Sequence, residues 1–242
     1  MSARSATIIA YYASTKPTVL EAYVASLQER LVARIPSFIA RPLGEVHATI
    51  IGLDSYGALS PEEESTRLPS RSGEGSLHAL CQYFGDCLDS GSTVQFGGFV
   101  DRDYDISSRG ERLFKRTITL NRGQLMLLGW PVPVRGDPMN SLDELRRGAQ
   151  RFGVTHRYHK SEADKDPDLY MVIGAVGALS AQDNIEVEGL RRSLATTPSR
   201  IPLSTDSVSV AVYSDTRLPA SSTRTWPLRE FMARRVNESN VT

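Results

Sequence analysis

The chain offers little with which to build a metal cluster or a disulfide framework: of its 242 residues, two are cysteine and four are histidine. Cys81 and Cys87 stand in HALCQYFGDC. On a helix that spacing separates their Cα atoms by about 9 Å, beyond the reach of a disulfide, so they read as reduced thiols. His156-x-x-His159 has no third ligand within a few residues, and neither metal nor other cofactor is expected. Charge of one sign is also missing. The 28 basic and 28 acidic residues cancel, so no global field gathers polyanions, and any nucleic-acid contact must be local. No apolar run reaches the roughly 18 residues of a membrane span; the longest, LYMVIGAVGALSA at 169–181, is broken by glycines. The opening MSARSATIIAYYAS is too rich in tyrosine and β-branched residues for a signal peptide and reads as a first strand. These absences predict a soluble, cytoplasmic protein with no membrane partner and no obligate protein partner.

The length suits one compact unit over 1–242 with a real hydrophobic core. After a strand at 6–13, Thr18-x-x-Glu21 reads as a capping box, and Leu20, Val24, Leu27, Leu31 and Ile35 recur at helical spacing until Pro36. A strand over 38–53 follows, then a polar Pro/Gly/Ser loop at 60–76 and a helix at 77–89. Strands are expected near 93–100 and 117–128, and NSLDELRRGAQRFG (140–153) reads as a capped helix ending at a glycine. Beyond a polar loop come a strand at 169–176, a helix at 184–195 and a strand at 206–213. This order predicts an α+β protein of two similar lobes.

EVHATIIGLD (45–54) sets His47 and Thr49 two apart in a half-buried strand, and strand side chains repeat every second residue, so both polar groups share one face. In its residues and apolar surroundings this stretch resembles the His-x-Thr/Ser motif of the two-histidine (2H) phosphoesterase superfamily, which includes RNA 2′,3′-cyclic phosphodiesterases and proteins first described as 2′-5′ RNA ligases. VSVAVYSDTRLPASSTRTWPL (208–228) resembles that family's closing strand and hairpin. The resemblance implies two pseudosymmetric lobes with antiparallel sheets around a central cleft, one motif from each lobe, and metal-independent acid/base chemistry.

The second motif departs from the pattern. In DLYMVIGAVG, Tyr170 stands where the second histidine is expected and Val172 where the hydroxyl residue is expected. Opening a cyclic phosphate needs one group to take a proton from water and another to protonate the leaving ribose oxygen, and imidazoles near neutrality suit both tasks. Neighbouring hydroxyls hold the non-bridging oxygens as charge builds. Tyr170, with an ordinary pKa near 10, donates a proton or binds phosphate but is a poor base; Val172 does neither. The catalytic set implied is therefore His47, Thr49 and Tyr170.

THRYHKSEADKDPD, just before Tyr170, holds the densest cationic cluster of the chain: His156, Arg157, His159 and Lys160. They are the expected substrate-binding residues, with Arg109 or Arg112 at the rim, and the partner implied is a nucleotide or RNA terminus carrying a phosphate. The expected activity is hydrolysis of a 2′,3′-cyclic phosphate or related phosphodiester. The alternative is a catalytically impaired protein that binds a nucleotide or RNA end in the same cleft.

Overall fold

Every strand pairing is antiparallel among the residues described by the computed structural model, which are 5–53, 77–89 and 91–234. The elements run β1 (Ser5–Ala10), α1 (Thr18–Arg34), β2 (Ile39–Ala40), β3 (Ala48–Gly52), α2 (Leu77–Leu88), β4 (Ser92–Phe96), α3 (Leu113–Arg116), β5 (Ile118–Asn121) and β6 (Gln124–Pro131). They continue as α4 (Ser141–Gly148), β7 (Leu169–Ala175), α5 (Ala181–Leu194), β8 (Ser199–Leu203), β9 (Val208–Tyr213), β10 (Thr223–Pro227) and α6 (Leu228–Arg234). The strands form one sheet in the order β10-β9-β1-β3-β7-β6-β4-β8, with β2 on β7 and β5 on β6. The α+β class with antiparallel pairing is as the sequence predicts. The polar loop expected at 60–76 lies outside the described residues.

Alternation sorts most of the strand side chains, with Ile50 and Ile51 of β3 both turned inward at a bulge opposite Ile8 and Ile9. Ala48 and Ile50 of β3, with Leu169, Met171 and Ile173 of β7, enter the main core beneath α1, α2, α4 and α5. The helix stripe Leu20, Val24, Leu27 and Leu31 fills the same core, as its spacing predicts. On the other face, Tyr170 and Val172 pack against Phe99, Leu113, Met126, Leu128 and Trp130, while Ile9, Tyr12, Ala211 and Leu218 form a separate small cluster. β3 and β7 are the middle pair of the strand order, so the strip between these two clusters runs along them.

Several elements differ from expectation for local reasons. The strand expected at 38–53 is broken: Pro42 opens a one-turn helix at Leu43–Glu45, and β3 begins only at Ala48, leaving His47 just ahead of it. Thr18 is the first residue of α1 rather than its cap; Pro17 holds that position without a side-chain bond, so the Thr18–Glu21 capping box does not form. The strand expected at 117–128 is a hairpin, turned at Arg122 and Gly123, whose φ of 50° and 74° fit a two-residue type I′ turn. α5 starts at Ala181, earlier than expected, because Ser180 and Asp183 form a reciprocal capping box. β8, SRIPL, carries Pro202 on an outer strand, where a missing N–H is tolerated.

Candidate functional site

Ala48 of β3 pairs with Met171 of β7. In an antiparallel ladder that register sets Thr49 opposite Tyr170, and one step the other way it sets His47 opposite Val172. All four face away from the main core, so the two stretches singled out in the sequence meet at the centre of the sheet. The Thr49 hydroxyl stands near enough to the Tyr170 phenol to act on it. Burial, helped by the nearby Tyr158 hydroxyl, raises the Tyr170 phenol above its ordinary value, against the effect of Thr49. Tyr170 is therefore a proton donor, not a base, at neutral pH.

His47 is oriented by the turn that precedes it. Its Nδ1 lies 2.8 Å from the Glu45 carbonyl oxygen, which only accepts, so Nδ1 carries the proton and Nε2 keeps its lone pair. Tyr12 meets the ring edge-on at 5.8 Å. Burial pushes the imidazole down to about 4 despite the Glu45 bond, and the charges of Arg41 and Lys16 add to the shift. At neutral pH His47 is a neutral ring offering one acceptor nitrogen.

Two cations accompany the neutral ring of His47. Lys16 is only 8% exposed, and its Nζ donates to the Leu43 carbonyl. Burial lowers the ammonium to about 8, with Arg41 acting in the same direction and Glu21 opposing. Arg41 is held at its backbone, where its N–H donates to Ile173 at 3.0 Å and its carbonyl accepts from Gln28 at 2.7 Å.

The loop before β7 is organised by buried charge. Arg146, fully buried on α4, donates to the carbonyls of Ile50 at 2.8 Å, Thr49 at 3.4 Å and Asp168 at 2.9 Å, and also to that of Asp166. One guanidinium thus ties β3 to the approach of β7. His156 donates from Nε2 to Asp166 at 2.8 Å, and His159 from Nε2 to Asp143 at 2.8 Å. Arg109 donates to Asp166 at 3.0 Å and stacks over Tyr158 at 3.7 Å. Arg116 bonds Asp168 at 3.3 Å, and Ser108 also donates to that carboxylate. Burial alone would raise the Asp166 carboxyl, but the His156 bond and the Arg146 and Arg109 charges outweigh it and hold it below the ordinary range.

The expected substrate-binding residues divide accordingly. His156 and His159 are buried and turned onto carboxylates, whereas Arg157 and Lys160 are exposed on the same loop. Of the two rim arginines, Arg109 lies against Asp166 and Tyr158, and Arg112 pairs with Asp101 and Asp103 at the surface. Tyr12, Lys16, Arg41, Arg146 and Tyr158 escape sequence reasoning, since nothing in ASTKP or FIARP marks a side chain that converges on His47. Tyr11, Ala13, Arg109 and Leu218 take left-handed backbone φ between 46° and 62° without being glycine. Such strain concentrates around functional clefts, and these residues adjoin the side chains that flank this strip.

No family model and no curated protein matches the chain. Among solved structures it is similar to a conserved protein of unknown function, ATU0111 from Agrobacterium tumefaciens str. C58, at 14% identity over 89% of this chain and 82% of that one, with a TM-score of 0.39. It is also similar to TT0787 of Thermus thermophilus, at 9% identity over 92% and 93% of the two chains, with a TM-score of 0.36. Likeness at this level says nothing of shared chemistry.

Proposed function

We propose that this chain is a 2H phosphoesterase-like protein that hydrolyses a 2′,3′-cyclic phosphate, or a related phosphodiester, at a nucleotide or RNA end without a metal. The observation that carries the reading is the pairing of β3 with β7, which brings His47, Thr49 and Tyr170 onto one face with Thr49 opposite Tyr170. The two halves of the strand order, β10-β9-β1-β3 and β7-β6-β4-β8, then correspond to the family's two lobes, each contributing its inner strand.

In this reading His47 Nε2 takes a proton from water as the water oxygen attacks phosphorus. The bond from phosphorus to one ribose oxygen breaks, and Tyr170 protonates that oxygen. Thr49 donates its one proton to a non-bridging oxygen. Arg157 and Lys160 meet the rest of the nucleotide or RNA end, while His156 and His159 hold their loop on Asp166 and Asp143.

A second reading is favoured by Val172, which sets an apolar side chain across from His47 where the family places a hydroxyl. In that reading the cleft binds a phosphate-bearing nucleotide or RNA end without turnover. The experiment is incubation of purified protein with 2′,3′-cyclic nucleotides and cyclic-phosphate-ended RNA, with and without a chelator. Monophosphate product formed equally in both conditions supports the first reading, and binding without product supports the second.

A further inference from the structure

Cationic side chains gather beside His47 with little to neutralise them. Arg41 is partly buried, and among the described residues neither its Nε nor its Nη2 has a hydrogen-bond partner. A guanidinium cannot shed its proton at any ordinary pH, so burial without a partner is a standing cost to the fold. Lys16 is more than nine-tenths buried and donates to a neutral carbonyl, which leaves ammonium protons uncommitted. Arg41 lies close enough to Lys16 to depress its proton affinity, and both lie close enough to His47 to depress that of the ring.

Counter-charge is scarce. Glu45 is the nearest carboxylate acting on Arg41, and one of its oxygens already accepts from the Ala220 N–H at 3.2 Å. Asp215 is committed to Arg217 at 2.7 Å. Tyr12, whose ring meets His47 edge-on, spends its proton on the Leu218 carbonyl at 2.9 Å. What is left beside His47 is a group of uncommitted donors on two cationic side chains and one acceptor nitrogen, the Nε2 of His47. An oxyanion is the ligand whose charge and acceptors suit such donors.

We infer that Lys16 and Arg41 form an anion cradle that grips the non-bridging oxygens of the substrate phosphate from the side of His47. This supplies the hold that Val172, across from His47, cannot. The guanidinium presents a fork that suits two oxygens of one phosphate, and the lysine ammonium adds a point charge. The inference rests on the phosphoesterase reading for the identity of the anion as a phosphodiester; the cradle's affinity for phosphate does not depend on turnover.

The test is titration of the full chain with inorganic phosphate, followed by calorimetry and by the ring and amide NMR signals of His47 and its neighbours. The expected result is saturable binding that shifts the His47 signals, weakened about 10–100-fold in Arg41→Met and in Lys16→Met, as for loss of a charged hydrogen bond. Arg41→Lys should recover part of that loss, and Lys16→Gln and Arg41→Lys serve if the methionine variants unfold. On cyclic nucleotides the same variants should raise KM more than they lower kcat.

Phosphate binding lost in the variants, in a protein that turns over no cyclic phosphate, would leave the cradle standing and remove the phosphoesterase reading. Turnover with phosphate affinity and KM unchanged by all the variants would do the reverse. Wild-type protein that binds no phosphate, or binds it without moving the His47 signals, overturns the cradle.

Discussion

Thr49 and Tyr170, from strands separated by more than a hundred residues of chain, stand opposite each other on one face at the centre of the sheet. The register gives Thr49 a phenol across from it on β7 where the resemblance calls for a histidine, beside the position that His47 faces. Replacing Thr49 by valine removes the hydroxyl while keeping the β-branched shape. The expected loss in cyclic-phosphate turnover is about 10–10³-fold with the melting temperature nearly unchanged. A variant as active as wild type would remove Thr49 from the site.

The acid limb of the pH profile should report His47. Its folded pKa is depressed, to about 4, so the neutral ring that the proposed mechanism uses as base predominates above that value. In the free protein kcat/KM should therefore be level from about pH 5 upward until another group titrates, and should fall tenfold per unit below about 4. A limb centred near the ordinary histidine value of about 6.5 would contradict the environment described for the ring.

Stability should follow the opposite member of the same equilibrium. His47 and His156 both have folded pKa values below their unfolded value, chiefly through burial. Between about pH 6.5 and the depressed folded values the unfolded chain binds protons that the folded chain refuses, so stability falls as pH falls through that window. Denaturant midpoints at pH 7.5 and pH 5 measure this. His156→Gln should flatten the difference, and an unaltered slope in that variant would show that His156 does not contribute.

Arg146 is where the site depends on buried charge. Replacing it by methionine leaves Asp166 without one of its cations and frees the carbonyls of Thr49, Ile50 and Asp168. Breaking a buried charge network by removing one partner costs about 3–5 kcal/mol, so Arg146→Met should show a large fall in melting temperature. A loss under about 1 kcal/mol would mean that water replaces the guanidinium at this position.

How much of this was legible beforehand depended on periodicity. The apolar stripe of α1 and the runs that become β7 and β9 follow from spacing, the closing hairpin that adds β10 follows from the resemblance, and period two places His47 with Thr49 and Tyr170 with Val172. The polar half of the site was not legible, because a charged loop such as SEADKDPD reads as solvated, yet Asp166 and Asp168 are buried. Their burial depends on Arg109, Arg116 and Arg146, which arrive from distant segments. Lys16 and Arg41 follow the same logic: each sits beside a proline in a polar turn, and only the fold turns them toward His47.

Introducing the second motif that the proposed function calls for separates a weakened site from an abandoned one. Tyr170→His with Val172→Thr should raise cyclic-phosphate hydrolysis, since the register already faces position 170 toward Thr49 and position 172 toward His47. A folded double variant with no gain would mean that the apolar cluster around Phe99, Met126 and Leu128 has reshaped this face.

The most direct test is the time course of a purified 2′,3′-cyclic nucleotide followed by phosphorus NMR, with wild type and His47→Ala side by side at pH 7. The account predicts conversion to a monophosphate by wild type and a rate about 10²–10⁴-fold lower in His47→Ala, with the fold intact. Conversion at the same rate in both proteins would contradict it.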